Sequence, residues 1–205
     1  SDPLVVDAIL KVLRERYEDA KICLVENDAT ATDADILFSY LGIRQVAERY
    51  NARTVNLADT KWIPKHIDGY HFRTIEVPEM LEQCDLLINH PKLKTHSITK
   101  MTCGLKNYFG CYRRRKKVSL HKFLDEAIAD INMALRSDIV IVDANVCMEG
   151  LGGPTYGRPK RLGWFIAGKD IVSVDSFCAH VMGFNPYFVG HIRKAARRGL
   201  GETEF

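Results

Sequence analysis

The sequence predicts an α/β fold of three layers, a mostly parallel sheet with helices on both faces, Rossmann-like but without the dinucleotide fingerprint. Two observations carry this reading. Short, continuously apolar segments that suit buried strands alternate with segments whose apolar residues recur at helical spacing. The first strand then runs into "ENDATATDAD" where a dinucleotide fold would have a Gly-x-Gly-x-x-Gly turn. A chain of 205 residues holds one large core, so the expectation is a single α/β domain over 1–205. The tail "GLGETEF" shows no structural stop and reads as the cut end of a longer protein.

Taken in order, residues 4–17 carry Leu4, Val5, Ala8, Ile9, Val12 and Leu13 on one helical face. "KICLVEN" (21–27) reads as a strand, 34–50 as a helix, and "ARTVNL" (52–57) as the second strand. "HFRTIEVP" (71–78) reads as a third strand and "CDLLINH" (84–90) as the most strand-like of all. A helix is expected over 98–109 behind Thr95 or Ser97, and another over 119–135 with Ser119 as N-cap and Leu120, Phe123, Leu124, Ala127, Ile128 and Ile131 as its buried stripe. "DIVIVDA" (138–144), "WFIAG" (164–168) and helices near 171–183 and 187–198 complete the chain.

No run approaches ~18 consecutive apolar residues, which excludes a spanning helix, so no membrane partner is expected. The six cysteines are scattered without a tight framework, which suits reduced thiols and a cytoplasmic protein. Charge is lopsided. Lys92 to Lys122 holds ten of the 29 Lys and Arg residues and no Asp or Glu, leaving 19 basic against 26 acidic residues elsewhere. Such asymmetry points to an anionic partner at this segment.

The segment "PKLKTHSITKMTCGLKNYFG" (91–110) follows a strand, the position where open α/β sheets bind ligands. On the expected helix, Ile98, Met101, Leu105 and Tyr108/Phe109 make the apolar face, and Lys106 and Asn107 lie opposite. Lys94, His96, Lys106 and Asn107 are the candidate anion-binding residues, with Lys106 and His96 also candidates for catalysis. The competing reading of these lysines is a solvated surface loop. Cys103, between Lys100 and Lys106, is either a thiolate nucleophile or a small helix-face residue.

A second segment follows "DIVIVDA". Asp143 ends that strand, Glu149 and Gly150 open a loop, and Gly152 and Gly153 continue it. Such glycines admit a ligand close to the backbone, or they join two strands in a hairpin. Asp170 reads as an N-cap, and Asp175, flanked by Val174 and Phe177, needs a buried partner. Asp143 and Glu149 are candidates for acid–base work. With Asp175 they are candidate ligands for a divalent metal beside a phosphate.

The stretches "DLLINHPKLKTHSITKMTCGLKNYFGCY", "IVDANVCMEGLGGPTYGRPKRLGWFIAGKDIVSVDSFCAHVMG" and "ARRGLG" resemble domain-of-unknown-function family 362, over about residues 84–201. The resemblance implies an association with ferredoxin-type four-iron–four-sulfur segments, which many members look to carry beside this domain, and a redox role. This chain has no C-x-x-C-x-x-C run, so an iron–sulfur cluster is expected only outside it, in a ferredoxin-like domain or partner.

The function these residues favour is binding, by an enzyme domain of unassigned reaction, of an anionic metabolite or cofactor bearing phosphate or carboxylate. The alternatives are a nucleic-acid-binding module on the basic 92–122 segment, with Tyr108, Phe109 and Tyr112 among the cations, and a non-catalytic scaffold for an iron–sulfur partner.

Overall fold

The computed structural model describes residues 2–29, 32–113, 117–152 and 156–205. Its contacts group into two compact units, Ser1–Thr60 and Lys61–Phe205.

The first unit starts with α1 (Pro3–Arg16), where Asp2 accepts the Leu4 N–H at 3.0 Å and Pro3 occupies the first turn. It continues through β1 (Cys23–Glu26), α2 (Ala34–Tyr40), α3 (Ile43–Arg49) and β2 (Arg53–Asn56). One helix was expected over 34–50. Gly42, at φ +72°, breaks it into two, a left-handed conformation that glycine adopts without steric cost. Val6 and Leu10 of α1 pack with Phe38, Ile43, Val46, Ala47 and Ala52. β1 and β2 pair in parallel from Cys23–Arg53 to Glu26–Asn56.

The second unit holds β3 (Trp62–His66), β4 (Thr74–Pro78), α4 (Glu79–Glu82), β5 (Ile88–Asn89), β6 (Lys92–His96), β7 (Lys100–Thr102), α5 (Gly104–Asn107), α6 (Leu124–Ala134), β8 (Ile139–Gly152), β9 (Tyr156–Gly168), α7 (Ile171–Val181) and α8 (Gly190–Arg197). β3 and β4 form an antiparallel pair. The larger sheet is built on β8. Along one edge of β8 run first β5 and then β6, both parallel to it, with a break at His90–Pro91 where the Asp143 N–H donates to the Pro91 carbonyl at 2.9 Å. Along the other edge β9 returns antiparallel, and β7 folds back antiparallel on β6.

The chain is therefore α/β, with small and mixed sheets in place of the mostly parallel three-layer sheet expected. Among the described residues the sheets have two, two and five strands, and three of the six strand pairings are antiparallel. The physical reason is that the connections after β6 and β8 are hairpins, where a parallel sheet needs helical crossovers. The glycine-rich loop after Asp143 is part of such a hairpin. β8 and β9 extend as a two-stranded ribbon to the Gly152–Tyr156 pair.

Three further expectations change. The strand over 84–90 contracts to Ile88–Asn89, since residues 82–86 are exposed and Pro91 interrupts the run. The helix over 98–109 is replaced by β7, the four-residue α5 and a 3-10 turn over Tyr108–Cys111. The helix from Ser119 starts as a 3-10 turn over Val118–Phe123, with α6 beginning at Leu124. Ser119 is not the cap of α6, and Phe123 is exposed while Leu124, Ala127, Ile128 and Ile131 are buried.

Candidate functional site

The two segments singled out in the sequence meet in the second unit. β6 lies against β8, the Thr95 hydroxyl donates to the Gly150 carbonyl at 2.7 Å, and α5 is anchored by Asp175. The turn between β6 and β7 is held by His96, whose Nδ1 accepts the N–H groups of Ile98 (3.2 Å) and Thr99 (3.3 Å). Lys100 closes it at φ +68°, uncommon for a residue with a side chain, and its ammonium donates to the Phe188 carbonyl at 2.7 Å. α5 starts at Gly104 because the buried Asp175 carboxylate accepts the N–H groups of Gly104 (2.7 Å) and Leu105 (3.0 Å). A side chain at 104 would crowd it, since a Cβ there would lie 2.9 Å from Asp175 Oδ1.

This geometry presents Lys106 half-buried on α5. Its ammonium lies over the Phe109 ring, 5.3 Å from the centroid, and no carboxylate of the described residues pairs with it. Burial, then the charges of Lys94 and Lys117, lower its pKa to about 8. Lys117 lies over the same ring at 5.4 Å and donates to the carbonyls of Phe109 (2.7 Å) and Gly110 (2.8 Å). Burial also lowers His96, to about 4, helped by Lys106 and Lys94 and then by His121 and His191. Lys94, His96 and Lys106 thus share one cationic neighbourhood. Asn107 is exposed overall and structural in its bonding: its amide donates to Asn89 Oδ1 at 2.8 Å, and Asn89 in turn donates to the Gly104 carbonyl at 2.9 Å.

The carboxylates are each engaged elsewhere. Asp143 is fully buried and pairs with Lys92 at 2.8 Å. Glu149 is exposed and lies 3.7 Å from Lys160. Both oxygens of Asp175 bind backbone N–H groups, and burial raises its pKa to about 6, against the opposing pull of His191 and those bonds. No three His, Cys, Asp or Glu side chains among the described residues form a group that could hold a metal ion. Asp143, Glu149 and Asp175 do not form such a group among the described residues. Gly150, at φ +102°, and Gly152 belong to the β8–β9 ribbon, and Gly153 lies outside the described residues.

Cys103 carries two expectations, a thiolate nucleophile or a small helix-face residue. A lowered pKa would make it a thiolate. In the structure it is fully buried, and burial followed by its contact with Cys178 and the Asp175 charge raise it well above the ordinary thiol range. It is a core thiol.

Sequence reasoning missed Asp125 and His191. His191 is fully buried on α8, with Nδ1 3.3 Å from Asp125 Oδ1 on α6. Separated by 66 positions, the two form no local motif. The only sequence signal is Gly190 directly before the histidine. Asp130, also missed, is buried on α6 and accepts the N–H groups of Tyr70, His71 and Phe72 at 2.6, 2.7 and 2.9 Å, a structural role.

Residues 1–180 match the family described as Domain of unknown function (DUF362), and the chain belongs to that family. It is also similar to the thylakoid-associated protein sll1697 of Synechocystis sp. (strain ATCC 27184 / PCC 6803 / Kazusa), 28% identical over 143 residues, which are 66% of this chain and 44% of that protein. The chain spans less than half the length of this relative. No helix among the described residues is long and apolar enough to cross a membrane.

Proposed function

We propose that the second unit binds a small anion, a metabolite or cofactor bearing phosphate or carboxylate, at Lys106 with Lys94 and His96 beside it. One observation carries the reading: Lys106 is withdrawn from solvent among other cations, its pKa lowered to about 8, without a carboxylate partner among the described residues. A fold holds a cation so placed at a cost, and a bound anion would offset it. Asp143, Glu149 and Asp175 each have protein partners, so the reaction is unassigned. The redox link and a ferredoxin-like partner rest on the family resemblance alone, and a cytoplasmic setting on the free cysteines.

The nucleic-acid alternative draws less support. Several cations of the basic segment are tied to protein groups: Lys92 to Asp143, Lys100 to the Phe188 carbonyl, Arg113 to Glu76, and Lys117 to two carbonyls. Of "RRRKK", residues 114–116 lie outside the described residues.

The test is reductive ¹³C-methylation of the lysines, with the Lys106 signal assigned by its loss in Lys106→Met. We expect that signal to titrate near pH 8 and to move upward on addition of millimolar inorganic phosphate. A Lys106 signal that titrates in the ordinary lysine range and ignores phosphate would defeat the reading. Tight, Lys106-independent binding of a single-stranded oligonucleotide would favour the alternative.

A further inference from the structure

The end of the β8–β9 ribbon sets apolar side chains in water. Leu151 is 96% exposed and Tyr156 84% exposed, beside the Gly152–Tyr156 pair that ends the ladder. Single exposed apolar residues are ordinary, but Leu151 is presented by a bulge. Between the pairs Glu149–Arg158 and Gly152–Tyr156, β8 carries one residue more than β9. Gly150 supplies the positive φ there, +102°, and its carbonyl is fixed to β6 by the Thr95 hydroxyl at 2.7 Å.

Cations stand directly behind. Successive strand residues point to opposite faces, so Arg158 and Lys160 share the Tyr156 face of β9 and Arg161 lies on the other. At ~3.3 Å per residue they follow Tyr156 by about 7, 13 and 17 Å. Glu149 is the single acid between Ala144 and Lys169, against four basic residues, and it lies 3.7 Å from Lys160. Every residue from Tyr156 to Arg161 is exposed, so both faces of β9 are bare here.

An anionic lipid surface matches this arrangement. A nucleic acid would engage the cations and leave Leu151 in water, and a folded protein would have to cover both faces of a narrow strand pair. A bilayer interface is fluid on every side. It takes apolar side chains to a depth of about 5–10 Å, favours tyrosine at the headgroup level, and offers anionic groups where the cations stand.

We propose that the end of the β8–β9 ribbon docks the protein peripherally on anionic membranes, with Leu151 and Tyr156 entering the interface and Arg158, Lys160 and Arg161 meeting lipid headgroups. The lack of a spanning run, from which no membrane partner was expected, does not bear on such a surface contact. The proposal is independent of the anion-binding reading above.

Co-sedimentation with large vesicles tests it, using phosphatidylcholine alone and phosphatidylcholine mixed with phosphatidylglycerol. Binding should require the anionic lipid and weaken with salt. It should fall about fivefold with each of Arg158→Gln, Lys160→Gln and Arg161→Gln, and at least about tenfold in Leu151→Ser. Lys106→Met should bind as the parent does. For a direct readout of insertion, the added fluorescence of Leu151→Trp should be quenched by mixed vesicles whose acyl chains are brominated. No binding to either vesicle, equal binding to both, or full binding by Leu151→Ser and the three cation variants would overturn the proposal. Binding of a single-stranded oligonucleotide that the cation variants lose, with vesicles ignored, would overturn it in favour of a nucleic-acid surface.

Discussion

Lys92 Nζ and Asp143 Oδ2 lie 2.8 Å apart across β6 and β8, where the register of the two strands shifts between Lys92 and Lys94. The Asp143 side chain is fully buried, whereas Lys92 retains 27% of its exposure. Lys92 thus supplies a positive charge to the buried Asp143 carboxylate, whose Oδ1 also accepts the Asn145 N–H at 3.2 Å.

Removing Lys92 takes this counter-ion from a fully buried carboxylate. Lys92→Ala should cost about 3–5 kcal/mol of unfolding free energy, while replacing both by apolar residues of similar volume should recover most of that loss. Chemical denaturation of the two single variants and the double variant measures this. A Lys92→Ala protein as stable as the parent would show that Asp143 is neutral or reaches another partner.

Asp175 gives a stability term with a defined sign. Its folded pKa, about 6, lies above the ordinary 3.8, so between those values the folded state holds the proton more tightly than the unfolded chain. This contribution is fully present below about pH 4 and is lost as pH rises through about 6. Asp175→Asn should flatten that part of the stability profile. Asp175→Ala should cost about 3 kcal/mol, because the Gly104 and Leu105 N–H groups lose their acceptor. Thermal unfolding at intervals from pH 4 to 7 tests both, and an unchanged slope in Asp175→Asn would refute the assignment.

His96 acts in the opposite direction. Its folded pKa, about 4, lies below the ordinary 6.5, so the unfolded chain binds the extra proton. The stability it contributes is present above about pH 6.5 and is lost as pH falls towards 4. The imidazole should stay neutral at pH 5 in ring ¹⁵N spectra, and His96→Gln should lessen the acid sensitivity in this window. A His96 half-protonated near pH 6.5 would contradict the burial and the Lys106 and Lys94 charges that keep it neutral.

Local pattern carried part of this structure and failed where distant partners decide. α1, β1, β2 and β4 were legible because apolar spacing and capping residues act within a few positions. β3 was missed because Pro64 lies inside it and an internal proline argues against a strand except at an edge. The segment 98–109 was misread because Met101 and Leu105 are fully buried, as a helix stripe requires, yet Met101 points inward from a strand and Ile98 is 49% exposed. The helix start there is fixed by Asp175, some seventy positions away, which no local window contains. The same distance explains the site. Lys94, His96 and Lys106 stood out because they share one short stretch, whereas Asp125 and His191 come together only when α6 and α8 pack.

The Asp175 carboxylate has one more effect. Short helices often hold anions with their exposed N–H groups, a grip that persists at any pH because backbone amides do not titrate. On α5 that place is taken by the protein's own anion. If an anion binds as proposed, its affinity should therefore weaken as Lys106, whose pKa is lowered to about 8, loses its proton.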